Sequence, residues 1–163
     1  MKGASTIGSN GNNIPSWNCQ SSIASIADKA WDEVLILCEV LESIADSLPA
    51  HANQKLCLDV GKIIESFISG VHHFEEITLF PAYDLALMRG GETRYSLERL
   101  RREHLEDESC ASDLAEALLV LGHSGAVENP DMVGFMLRCF FVAKRRHVAF
   151  GREYILPALR LRG

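Results

Sequence analysis

The sequence predicts an all-α fold, an antiparallel up-down-up-down four-helix bundle, and three observations carry that prediction. Apolar residues recur at steps of three and four through four long stretches, which places them on one face of a helix. Proline and glycine fall between the stretches, where they stop one helix or start the next. Strand-type alternation and hairpin dipeptides are absent. Long amphipathic helices with short connections bury their stripes by packing antiparallel.

Residues 1–20 are rich in Gly, Ser and Asn, hold few apolar side chains, and are expected to form a flexible tail ahead of a bundle spanning 21–163. In the first helix Ala27, Trp31, Val34, Cys38, Leu41 and Ala45 form the inward stripe, and Pro49 ends it. The second is expected from Ala52 to Met88 on the stripe Leu56, Val60, Ile63, Phe67, Val71 and Phe74. Pro81 should bend or break it, because proline lacks an amide hydrogen and clashes with the preceding turn. Gly90-Gly91 is a stop signal. The third helix is expected from Thr93 to Leu121, with Leu97, Leu100, His104, Glu108, Ala111, Ala115 and Leu118 inward and Gly122 and Gly125 closing it. Asn129-Pro130-Asp131 opens the fourth, proline suiting a first helical turn. Its stripe is Met136, Phe140, Ala143, His147, Phe150 and Tyr154, and it ends near Leu161.

A chain of 163 residues fits one domain with a real core. No apolar run reaches the roughly 18 to 20 residues of a membrane span, and no apolar stretch follows the N-terminal lysine as in a secretory signal. A cytosolic location is expected. The five cysteines (Cys19, Cys38, Cys57, Cys110, Cys139) make no C-x-x-C pair and are expected as reduced thiols, four of them small core residues. A net charge of −6 argues against nucleic acid, which favours a basic footprint. Arg101-Arg102 and Lys144-Arg145-Arg146 are expected on solvated helix faces.

Polar residues on the inward stripes point to chemistry. His72 and Glu76, four apart, lie about 40° from each other around a helix and face the same way. His104 and Glu108 repeat the spacing, and His147 lies on the fourth stripe. Imidazole nitrogen and carboxylate oxygen suit iron, and three such faces meeting inside a bundle form a metal cage. Spacing alone is weak, since 6 histidines among 22 acidic residues give roughly one such pair by chance. Placement on core stripes adds the specificity, because an unpaired charge there is costly.

HHFEEITLFPAYD (72–84) resembles the HHxxEE-x-x-LFP signature of the hemerythrin-like, cation-binding HHE family. RREHLEDE (101–108) is similar to its third-helix ligand segment, and RRHVAFGREYILPAL (145–159) to its fourth. The resemblance covers about residues 21 to 161. It implies a non-haem iron site, of one or two irons, held by His72, Glu76, His104, Glu108 and His147, with Glu76 as the bridging carboxylate. His73 and Glu75 are expected outside the ligand shell or exposed. His51 and His123 lie at helix ends, where a partly exposed histidine needs no special role.

Two positions depart from the family pattern. The first-helix histidine is replaced by Trp31, expected as core filler, with Asp32 about 100° away around the helix. A carboxylate expected four or five residues after His147 is replaced by Gly151 and Arg152, and Glu153 is on the wrong face. The function this implies is binding of O2 or NO, or sensing of redox or iron state. Two alternatives stay open. One is a di-iron enzyme acting on peroxide or NO, or in iron–sulfur repair; the other is a metal-free bundle acting through protein contacts. A homodimer or another protein partner is compatible with each.

Overall fold

Residues 16–90 and 95–161 are described by a computed structural model. They form helices α1 (Ser16–Ser47), α2 (Gln54–Phe74), α3 (Phe80–Gly90), α4 (Tyr95–Ser124), α5 (Pro130–Phe150) and α6 (Leu156–Leu161). A π-helical turn, Glu75–Leu79, joins α2 to α3, and a second, Gly151–Ile155, joins α5 to α6. No strand occurs among the described residues. Helix α2 packs mainly on α4, α1 mainly on α5, and α4 also on α5, with a thin α1–α2 contact. That order of neighbours is compatible with an up-down bundle.

The helix ends follow local chemistry. Asn53 caps α2 by accepting from the Leu56 N–H, and Asn129 caps α5 by accepting from the Met132 N–H, with Pro130 in the first turn. Gly125 closes α4 at φ +73°, and its N–H returns to the Leu121 carbonyl. Gly122, expected to help end that helix, lies inside it. A Cβ there would come within 2.5 Å of Leu58 and 2.9 Å of the Gln54 carbonyl, so glycine permits the close approach of α2 and α4. Helix α1 begins at Ser16, inside the segment expected as tail; residues 1–15 lie outside the described ones.

Helical conformation continues through Pro81, but the α-helical ladder is interrupted just ahead of it. The π turn there replaces the ordinary ladder with a bond from the Phe80 N–H to the Glu75 carbonyl, so helical backbone runs on into α3. The same device recurs ahead of Pro157, where the Leu156 N–H bonds the Gly151 carbonyl. Both π turns begin six residues before a proline.

In α1 the whole expected stripe is buried. In α2 the buried series is Cys57, Val60, Gly61, Ile64, Ile68 and His72, about one residue around from the expected stripe. Ile63 is 53% exposed and, with Phe67, lines a surface groove against Ile36 and Leu37. In α5 the buried series is Val133, Leu137, Phe140, Lys144, His147 and then Gly151, while Tyr154 is half exposed. Cys38 and Cys57 are buried thiols, Cys110 is partly buried, and Cys139 is exposed. No helix among the described residues is long and apolar enough to cross a membrane.

Candidate metal centre

The three histidines expected on the inward faces, His72, His104 and His147, do meet in the interior, each at most 4% exposed. His104 is held as a plate between two others, 3.9 Å from the His72 ring centroid and 5.4 Å from that of Phe80. His147 lies 5.2 Å from His104, tilted.

The carboxylates are distributed differently from expectation. Glu76 and Glu108, both expected to face a metal, are 42% and 40% exposed at the side chain. Each bonds the outer nitrogen of a histidine: Glu76 Oε1 lies 2.9 Å from His104 Nδ1, and Glu108 Oε1 lies 3.0 Å from His72 Nδ1. They orient the rings from outside. Glu75, expected in an outer or exposed place, is 1% exposed and faces the centre, as does Asp107. His73 is exposed, as expected. The two inward carboxylates thus stand three residues after His72 and His104, where spacing had pointed to the fourth. The cue was available: Glu75 continues the buried series Ile64, Ile68, His72, and Asp107 the series Leu97, Leu100, His104.

Glu75 organises the middle of the site. Its Oε2 lies 2.7 Å from His104 Nε2 and 3.1 Å from His147 Nε2, and its Oε1 accepts the Trp31 indole N–H. Burial pushes this carboxyl up, but the polar groups of His104, His147 and Trp31 together outweigh it and hold it well below the usual carboxylate range. Burial likewise favours neutral His147, yet Glu103 and Glu75 prevail and raise its pKa above the ordinary value.

Lys144, expected on a solvated face, is 2% exposed and points into the site. Its ammonium lies 2.8 Å from His72 Nε2 and 2.7 Å from Asp107 Oδ2. An ammonium has no acceptor, so His72 Nε2 accepts and its Nδ1–H donates to Glu108. His72 is therefore neutral, its pKa lowered to about 2 by burial first and by the Lys144 charge second.

The two positions that depart from a metal-binding pattern touch each other. A Cβ on Gly151 would fall 2.5 Å from Trp31 Cζ2, and nearer still to the next ring carbon. The absent side chain at 151 leaves the space that the indole fills. Outside this contact, Arg152 bonds Asp28 at 2.9 Å and also pairs with Asp32, tying α1 to the second π turn.

Glu75, His104 and His147 each offer one donor atom, and these atoms lie within 4.8 Å of one another. Neighbouring ligands of one ion with bonds of about 2.1 Å sit about 3 Å apart, close to the 2.7 and 3.1 Å found here. His104 Nε2 is buried and, though 2.7 Å from Glu75, out of line for a hydrogen bond, and His147 Nδ1, buried and 3.7 Å from Glu103, is too far for one. A buried nitrogen without an aligned partner carries a desolvation cost that a metal ion would remove. Two imidazoles and a carboxylate form a donor set suited to non-haem iron, and the residues present fit such an ion. No protein family, curated protein or solved structure matches this chain.

Proposed function

We propose that the chain is a cytosolic hemerythrin-like four-helix bundle that holds non-haem iron at Glu75, His104 and His147. We infer that it uses the site to bind O2 or NO, or to sense redox or iron state. The observation that supports this is the convergence of three buried donors, one of them a histidine nitrogen with no aligned partner. Iron bound there would supply coordination positions for a diatomic ligand and a one-electron change of state.

The chain's own residues prepare the place. Glu76 fixes the His104 ring through Nδ1 and so aims Nε2 inward. Trp31 and Phe80, both fully buried, wall off water, and the indole N–H holds Glu75 in its inward rotamer. Iron uptake must displace the proton shared between Glu75 and His147, so binding should release protons and weaken as pH falls.

The test is the metal content and near-ultraviolet spectrum of protein reconstituted anaerobically with ferrous iron. Retained iron that is lost in His104→Ala and in Glu75→Gln is the expected result. Protein that takes up no iron defeats the proposal. A second function, a metal-free interaction module, draws support from Lys144, which already neutralises Asp107 inside the bundle. It predicts a melting temperature unmoved by chelator or ferrous iron.

A further inference from the structure

The interior of the site has two halves. One holds the Glu75, His104 and His147 donors. The other holds His72 Nε2 and Asp107 Oδ2, and between them stands the Lys144 ammonium at 2.8 and 2.7 Å. A histidine nitrogen and a carboxylate oxygen converging on one buried point are what a divalent cation would use. Here that point is filled by a cation covalently tied to α5. Lys144 lies on the buried face between Phe140 and His147, so it cannot swing to solvent without leaving Asp107 as an unpaired buried charge.

We propose that Lys144 is a built-in substitute for a second metal ion and limits the site to one. The inference rests on the metal-binding function above and deepens it. His72 then serves as an acceptor for the ammonium and as a stacking support for His104, and it is not a ligand.

The experiment is anaerobic titration with Co(II), counting bound metal per chain in wild type, Lys144→Met and Lys144→Met/His72→Ala, with circular dichroism to establish folding of each. One Co(II) in wild type, two in Lys144→Met and one again in the double variant is the expected series. One in wild type and still one in folded Lys144→Met leaves the metal-binding function standing and overturns the inference. Two in wild type overturns it as well. None in any protein defeats the metal-binding function and the inference with it. None in wild type but uptake in Lys144→Met would confirm that the ammonium excludes a cation, while refuting metal binding by the natural chain. Should Lys144→Met fail to fold, the number of imidazole rings that ligate Co(II) in wild type decides. Paramagnetically shifted imidazole signals of the Co(II) protein, counted by NMR with labelled histidine, should come from two ligating rings, and three would overturn the inference.

Discussion

Trp31 and Gly151 share a single volume, so neither can change alone without cost. Gly151→Ala forces a methyl group into the indole and is expected to destabilise by about 1–3 kcal/mol, the usual range for overpacking. The same substitution in a Trp31→Phe background should cost clearly less, because the smaller ring vacates part of the space. Urea unfolding of the four proteins of that cycle is the check; strict additivity would show that the two positions do not touch. Protonation acts at the same scale. In the metal-free protein, His72 has a pKa lowered from 6.5 to about 2, so between those values only the unfolded chain takes the proton and stability falls as pH drops. Glu75, also lowered, adds stability above its unfolded value that is lost further into acid. His147, raised above 6.5, works the other way: its contribution is complete below 6.5 and lost as pH rises through the folded value. Urea midpoints of metal-free protein should peak near pH 6.5, and a midpoint that climbs steadily into acid would contradict these assignments. Residue identities at the centre were only partly legible for a related reason. The histidines could be recognised from type and spacing. Lys144 could not, because a basic run ordinarily marks a solvated face, and its place in the series Leu137, Phe140, Lys144, His147 was the only cue.

At the level of elements, the phase of α2 shows what periodicity leaves undetermined. Ile63 and Phe67 line a surface groove, while Ile64 and Ile68 face the core, so both sides of the helix carry apolar residues. A stripe drawn through the first pair runs on to Val71 and Phe74 and misses the site, whereas one drawn through the second runs on to His72 and Glu75. The ends of the same elements were far easier to read, since Asn129-Pro130 and Pro49 act through local backbone chemistry without help from tertiary packing. Glycines inside helices separate into two kinds on the same physical grounds. Gly70 is exposed and a Cβ there meets nothing within 4 Å, so Gly70→Ala should stabilise by about 0.5–1 kcal/mol through helix propensity. Gly122→Ala should instead push α4 away from α2 at Leu58 and destabilise by about 1–3 kcal/mol. Thermal melts of the two variants moving in opposite directions would verify the packing, and a rise in both would refute it.

For the whole molecule, the interior charges set how metal and stability are linked. Glu75 and Asp107 are balanced by Lys144 and by the raised basicity of His147, so the bundle can close without an ion. Metal at the proposed site would therefore add to a structure whose interior charges are already paired, unlike a small zinc finger. A ligand of the native state at a hundred times its dissociation constant stabilises by about 2.7 kcal/mol. Ferrous iron under anaerobic conditions should raise the melting temperature of wild type, and chelator should reverse the rise. The same addition should leave His104→Ala unmoved. A shift of equal size in that variant would place the ion elsewhere.

The indole N–H of Trp31 rests on the carboxylate proposed to hold the ion, which gives the chain an optical consequence. Only two tryptophans are present, Trp17 and Trp31, so Trp17→Phe leaves one emitter. A paramagnetic ion on Glu75 would lie near enough to drain its excited state. Emission from that single ring would then darken as the site fills and brighten as it empties, so occupancy could be followed in solution without any added dye.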